Sequence, residues 1–455
     1  MTSPFKAYDI RGKVGEALTL ELMRGIGQAF ASEVARGGPV VIGYDARDSS
    51  PGLAEVLAEG VRDGGADVLA LGMCGTEEVY FATAHLKAAG GLMVTASHNP
   101  LGDNGVKLVG AEARPISRET GLGCIEELCA GPQEVAAKRG GLREVDTRAA
   151  YIAKVLSFVE VRRLAPFKVL VNAGNGAAGP TFDALAEALA EGGAKVRFAR
   201  LFHAPDPRFP NGIPNPLLPE NHPPTAEAVL AEGADLGVAW DGDFDRCFFF
   251  DADGRFIDGV YIVGLLAQAA LAQEPGGTIV YDPRAVLNTR DLVAQAGGQA
   301  VMGRTGHSLM KETMRAEEAV YGGEMSAHHY FRDFMYCDSG IIPVLLVLDL
   351  MSRTEMSLRD LVAERIAAFP VSGERNFRLG KPDVAFAAVE EEYAGWAKSR
   401  DDSDGLSLEF TTWRFNLRRS NTEALVRLNV EAQGDAALVA RKVDAIGALL
   451  RLAGG

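Results

Sequence analysis

Four short polar runs in this 455-residue chain carry more chemistry than turns require. The first, TASHNP, places Ser97 where an apolar run gives way to a loop, with His98 beside it and Lys107 ten residues on. A serine hydroxyl can take and return a phosphoryl group when cations neutralise the phosphate oxygens and a base handles the proton. Alone, Ser-His-Asn-Pro is better explained by turn chemistry, because Asn-Pro favours turn initiation. The serine stands in no G-x-S-x-G elbow, so acyl transfer is not suggested.

The second run, DGDFDR, sets Asp241, Asp243 and Asp245 at alternate positions, followed by Arg246. Three carboxylates this close repel unless a cation joins them, and their hard oxygens suit Mg²⁺ or Ca²⁺. A calcium EF-hand fails: the sixth position is Arg246 rather than glycine and the twelfth is Ala252 rather than glutamate. A loop that leaves metal positions open to a phosphate fits Mg²⁺ better, and the apolar flanks read as buried.

The third run, GEMSAHH, has Glu324, Ser326 and His328 at i, i+2 and i+4, which share one face of an extended segment. Carboxylate, hydroxyl and imidazole together offer donors and acceptors for sugar hydroxyls. His329 can simply pack. Arg304 and His307, in GRTGH, could add charge to the same rim. The fourth run, RRSNTEALVR, gathers Arg418, Ser420, Asn421 and Thr422, with Arg427 following. Guanidinium, hydroxyl and backbone N–H donors make a phosphate clamp. A hydroxyl that can carry phosphate, a divalent metal, a hydroxyl-reading edge and an anion clamp are the inventory for moving phosphoryl groups on a sugar phosphate.

The elements that must position these runs repeat three times along the chain. Apolar strands at Val40, Asp67 and Gly91 end in TASHNP; those at Val169, Lys195 and Asp235 end in DGDFDR; those at Thr278, Gln299 and Ala319 end in GEMSAHH. Val/Ile/Leu-rich strands alternating with helical patterns predict βαβ units in covered sheets, with ligands outside the strands' carboxyl ends. The fourth segment differs. Residues 406–432 read as two strands joined by a polar loop, and a helix follows from about Asp435 to Leu452. The expected fold is α/β: three similar mixed α/β sheet domains, 1–145, 146–253 and 254–367, and a smaller α+β domain, 368–455.

Composition narrows the partners. Apolar residues make up 47% of the chain and charged residues 24%, enough for several cores in an ordinary folded protein. The 46 basic and 61 acidic residues leave a net charge of −15, which speaks against a nucleic-acid or anionic-membrane partner. An anionic ligand therefore needs locally concentrated cations. No signal peptide is visible at MTSPFKAYDIRG, and the apolar stretch from Ile341 to Leu348 is too short to span a bilayer. Five cysteines without a CxxC pair read as reduced, mostly buried thiols of a cytoplasmic protein, not a zinc site.

TASHNP, DGDFDR, GEMSAHH and RRSNTE, in that order, resemble the α-D-phosphohexomutase family over essentially the whole chain. FKAYDIRG, CGTEEVYFAT and HHYFRDFMYCDSG look most like the bacterial phosphomannomutase group within it. The resemblance implies a heart-shaped, four-domain molecule whose last domain is related to the TATA-box-binding-protein fold. It implies phosphoserine at Ser97, Mg²⁺ on Asp241, Asp243, Asp245 and the Ser97 phosphate, and sugar contacts from Glu324, Ser326 and His328. Arg418, Ser420, Asn421, Thr422 and Arg427 would hold the phosphate that is not reacting. Tyr8, Arg11, Lys107, Arg246 and His307 match cleft positions, with Lys107 and His307 as candidates for proton transfer. The implied cofactors are Mg²⁺ and a hexose 1,6-bisphosphate intermediate, and the implied assembly is a monomer or homodimer.

Three departures from the family pattern touch substrate preference more than reaction type: Ala424 where many relatives carry proline, Ala327 where some carry glycine, and Arg284 where some carry lysine. SNTE and GEMSAHH argue against the phosphoglucosamine branch. Two other readings predict different behaviour. A haloacid-dehalogenase-type phosphatase using an Asp of DGDFDR would survive loss of Ser97, and a sugar-phosphate-binding regulator would bind without turnover.

Overall fold

The computed structural model describes residues 3–132, 134–419 and 425–455, so Ser420, Asn421 and Thr422 lie outside the described residues, as does Ala424. The chain forms two compact units, Met1–Phe256 with Ala327–Glu355, and Ile257–Ser326 with Met356–Gly455.

The first unit holds two mixed sheets. In one, the parallel strands β2 (Val40–Tyr44), β3 (Val68–Met73) and β4 (Gly90–Val94) are joined by β1 (Ile10–Lys13), β5 (Asp103–Gly110) and β6 (Leu142–Glu144), in the order β1-β5-β4-β2-β3-β6. Strand β5 runs antiparallel to β4, with Lys107 opposite Met93. Val40, Ile42, Leu92 and Val94 pack on Ile26, Phe30, Leu53 and Leu57 from the covering helices. The helix Leu20–Phe30 starts where the sequence supplies a cap: the Thr19 side chain accepts from Leu22 N.

In the second sheet β7 (Lys168–Asn172), β8 (Arg197–Leu201) and β9 (Leu236–Trp240) are parallel, and β10 (Cys247–Phe250) returns antiparallel to β9, with β11 (Phe256–Ile257) at the edge. Residues 241–246 are therefore the turn of a hairpin in which Trp240 faces Cys247.

In the second unit β12 (Thr278–Tyr281) lies between β13 (Gln299–Met302) and β14 (Tyr321–Gly323), all parallel. The short strands β15 (His329–Phe331) and β16 (Cys337–Asp338), which belong to the first unit, pair antiparallel. The C-terminal sheet is antiparallel, in the order β17-β21-β20-β19-β18: β17 (Arg375–Phe377), β18 (Ser399–Asp401), β19 (Leu406–Glu409), β20 (Trp413–Arg419) and β21 (Val426–Ala432). Its core joins Leu408, Phe415, Leu428 and Val430 to Ile446 and Leu450 of the helix Ala436–Gly454.

Residues 406–432 thus make three strands, not two. Phe410 N donates to Trp413 O and closes a tight turn across Thr411 and Thr412, residues whose β preference hid the break. No described helix is long and apolar enough to cross a membrane.

Candidate active site

Ser97 follows β4 and takes φ +49°, the left-handed region that costs a non-glycine residue about 1–2 kcal/mol. Its Oγ donates to Asp241 Oδ2 at 2.6 Å and lies 2.9 Å from His98 Nδ1. Phe244, in the middle of the hairpin turn, is also left-handed at φ +45°. Two glycines allow this turn to seat. A Cβ on Gly242 would meet Ser97 O at 2.6 Å, and one on Gly75 would meet the Phe244 ring at 2.2 Å.

The carboxylates converge. Asp241, Asp243 and Asp245 are buried, with one oxygen of each within 4.8 Å of the others. Lys107, at 4% exposure, donates from Nζ to Asp243 Oδ2 at 2.7 Å and to Asp245 Oδ2. Arg246 forks onto Asp241 Oδ2 through Nε at 2.9 Å and Nη2 at 2.6 Å. The same Nη2 reaches Ser97 Oγ at 3.3 Å and donates to His98 Nδ1.

Electrostatics follow from this packing. Burial and the Arg246 guanidinium hold His98 well below the usual imidazole range, so it stays neutral. Burial works against the Lys107 ammonium, but the Asp243 and Asp245 carboxylates outweigh it and hold its pKa up. Burial and then Asp243 push the Asp245 carboxyl up, while Lys107 overcomes burial at Asp243 and draws that carboxyl down.

Three carboxylates face two buried cations, an excess of one negative charge that a divalent ion would reverse. The Oδ1 atoms of Asp241, Asp243 and Asp245 are buried without hydrogen bonds among the described residues. A hard cation is the partner such oxygens lack, so the residues present fit Mg²⁺.

Thr76 was not singled out by sequence. Its hydroxyl donates to Asp243 Oδ2 at 2.6 Å and its N–H to Asp243 O at 3.1 Å, anchoring the acidic turn to the start of the helix Thr76–His85. Arg11 donates to Asp9 at 2.6 Å and to Asn99 Oδ1 at 2.8 Å, beside the Ser97 loop; Tyr8 is half-buried. His328 Nδ1 lies 2.9 Å from Asp338 Oδ2 and 3.9 Å from Asp245 Oδ1.

The expectation that Glu324, Ser326 and His328 share one face of an extended segment is corrected. Met325 and Ser326 form a turn and Ala327 is left-handed at φ +69°, which breaks the alternation. That conformation accounts physically for a glycine preference at this position.

In the second unit Ser326 Oγ donates to Glu324 Oε2 at 3.2 Å, and buried Arg284 donates to both, at 3.2 and 3.3 Å. Gly306 N donates to Glu324 Oε1 at 3.3 Å. His307 opens the helix His307–Ala316 and is buried, whereas Arg304 is exposed.

Sequence reading also missed Glu374. It accepts from Arg418 Nη2 at 3.3 Å, and lies 3.2 Å from Arg427 Nη1 and 3.6 Å from Arg284 Nη1. The arginines expected to clamp an anion therefore already face a carboxylate. A lone glutamate in VSGERNF gave no signal of this.

Four family models match in order: the phosphoglucomutase/phosphomannomutase alpha/beta/alpha domains I, II and III over residues 2–133, 149–254 and 258–369, and the C-terminal domain over 374–448. The chain is 54% identical to the phosphohexose mutases of Xanthomonas campestris pv. campestris over 453 residues, 99% of this chain and all of that one. It is also 54% identical to the phosphomannomutase of Salmonella typhimurium, over 98% of each. The crystal structure of a phosphoglucomutase/phosphomannomutase family protein from Burkholderia thailandensis superposes with a TM-score of 0.87 at 32% identity, covering 100% of this chain and 98% of that one. With these likenesses spanning the whole length, the chain belongs to the phosphoglucomutase/phosphomannomutase family and is a phosphohexomutase, an isomerase.

Proposed function

We propose that this phosphohexomutase interconverts mannose 6-phosphate and mannose 1-phosphate through phospho-Ser97 and a hexose 1,6-bisphosphate, supplying mannose 1-phosphate for GDP-mannose synthesis. One observation carries the chemistry: Ser97 Oγ is hydrogen-bonded at 2.6 Å to a buried carboxylate whose other oxygen is spare for a metal. The mannose preference is supported by relatives at 51–54% identity that bear the name phosphomannomutase.

In the first half-reaction the P–O bond to Ser97 breaks and a new one forms to the free hydroxyl oxygen of the hexose monophosphate. That hydroxyl's proton leaves to a base. The bisphosphate then presents its other end. Its second phosphoryl group returns to Ser97 Oγ, and the new sugar hydroxyl takes a proton. Mg²⁺ held by Asp241, Asp243, Asp245 and an oxygen of the Ser97 phosphate would neutralise charge on the transferring group.

Arg246 orients Ser97 and balances phosphate charge. Lys107, kept protonated by its two carboxylates, serves as charge partner. His98 fixes the serine, and His307 is our candidate base. Glu324, Ser326 and His328 take the sugar hydroxyls, with Arg304, Tyr8 and Arg11 lining the approach. Arg418, Ser420, Asn421, Thr422 and Arg427 hold the phosphate that is not reacting.

The test supplies Mg²⁺ and a trace of hexose 1,6-bisphosphate, then compares mannose 1-phosphate with glucose 1-phosphate. Faster turnover of the mannose ester is expected. A strong glucose preference would overturn the assigned substrate, and isomerisation of neither would overturn the reading itself.

A further inference from the structure

The first unit buries one guanidinium that the mechanism above does not use. Arg47 lies just past β2 with its side chain 1% exposed. Its Nη1 donates to Pro100 O at 2.8 Å and Asp103 O at 3.2 Å, and its Nη2 to Ser97 O at 2.9 Å and Asn99 O at 2.6 Å. All four acceptors fall within the loop from Ser97 to Asp103. Four carbonyls facing one side chain need a planar fork of N–H groups, which arginine has and lysine lacks.

Arg47 does not act alone. Its Nε is 3.4 Å from Asp45 Oδ2, which also accepts from Thr95 Oγ1 at 2.7 Å. Ser50 Oγ donates to the other Asp45 oxygen at 2.5 Å. Thr95 Oγ1 in turn accepts from Ser97 N at 2.8 Å. The backbone of Ser97 is thus gripped at both ends, its N–H by Thr95 and its C=O by Arg47, and both grips are tied to Asp45. Between them sits the left-handed φ of +49°. A strained conformation persists only where its surroundings over-determine it. Relaxing φ to negative values would swing Cβ and carry Oγ away from Asp241.

We propose that Arg47 is a positioning residue for the phosphoryl-carrying hydroxyl, holding Ser97 with Thr95 in the turn that aims Oγ at Asp241. The proposal rests on the reading of Ser97 as that carrier. Arg47 Nη2 touches the serine carbonyl and not its hydroxyl, so its effect passes through the loop.

The test uses full-length Arg47→Lys and Thr95→Val, with Ser97→Ala as control. Each is given Mg²⁺ and hexose 1,6-bisphosphate, and phosphoryl uptake at Ser97 is followed by mass spectrometry of the quenched protein. Thermal unfolding, kcat, KM and calorimetric Mg²⁺ affinity are measured beside it. Misplacing a reacting group by about 1 Å costs about 10- to 100-fold, so uptake and kcat should fall together by that factor in both variants. KM and Mg²⁺ affinity should stay within about twofold of the parent, a split that simple loss of folded protein does not produce.

Uptake at the parent rate, a loss that merely follows the folded fraction, or a raised KM with unchanged kcat would each overturn the proposal. If Arg47→Lys does not fold, Thr95→Val, which removes only one hydroxyl of the grip, decides by the same criteria. A fully active Ser97→Ala would overturn the carrier reading itself. Unchanged uptake in Arg47→Lys with an inactive Ser97→Ala would overturn only the positioning role.

Discussion

Lys107 Nζ bridges Asp243 and Asp245, donating to Oδ2 of both, and leaves each Oδ1 buried and, among the described residues, without a hydrogen bond. The ammonium thus offsets like charges on one side of the acidic turn, and the other side is left for a second cation. Lys107 is the cation that bridges Asp243 and Asp245, while Arg246 pairs with Asp241 on the other flank of the turn.

Removing that ammonium tests the division of labour. Lys107→Met leaves two buried carboxylates facing each other, and breaking a buried ion pair costs about 3–5 kcal/mol. The metal-free variant should therefore melt well below the parent in chelator. Saturating Mg²⁺ should raise its melting temperature more than it raises the parent's. Equal Mg²⁺ shifts in both proteins would show that ammonium and metal do not share the carboxylates.

The clamp of the second unit has a comparable internal balance. Glu374 pairs with both Arg418 and Arg427 and lies near Arg284, so a phosphate arriving at these arginines would compete with a resident carboxylate. Glu374→Gln should tighten inorganic phosphate binding about tenfold, about 1.4 kcal/mol, and lower stability in phosphate-free buffer. Titration calorimetry reads the first effect and thermal unfolding the second. Weaker phosphate binding would mean instead that Glu374 orients the arginines.

A buried histidine is expected to make stability depend on pH on the acid side. Burial, aided by the neighbouring His328, pushes His329 down to about 3 from an ordinary value near 6.5. Between those values the unfolded chain binds a proton that the folded chain does not. Its contribution is complete above about pH 6.5 and is lost as pH falls toward the folded value. From pH 6.5 to 5 the loss should come to about 1.6 kcal/mol, and His329→Phe should flatten that slope in denaturant titrations. An unchanged slope would place the acid sensitivity elsewhere.

The acidic turn was legible in sequence because its three carboxylates alternate within five residues. Ser97 was legible only through its company. Arg47 was hidden for a physical reason: its partners are carbonyls, which every residue has, so no pattern of side-chain types announces them. Thr76 and Glu374 act across long sequence separations and sit in unremarkable runs. The Met325–Ser326 turn was misread because the hydroxyl and carboxylate spacing fits an extended strand equally well, and only the left-handed Ala327 breaks it. The break before Trp413 was masked by two threonines, a residue type that strands prefer.

Phosphoryl passage through Ser97 is the step on which the proposed reaction depends. The protein would be incubated with Mg²⁺ and phosphorus-labelled hexose 1,6-bisphosphate, digested, and the labelled peptide sequenced; a chase with unlabelled mannose 1-phosphate would follow. The account predicts label on Ser97 that leaves at the rate of turnover, with none taken up by Ser97→Ala, whose kcat falls by three orders of magnitude or more, roughly the scale of losing a nucleophile. Label on an aspartate of the acidic turn, or full turnover in Ser97→Ala, would contradict it.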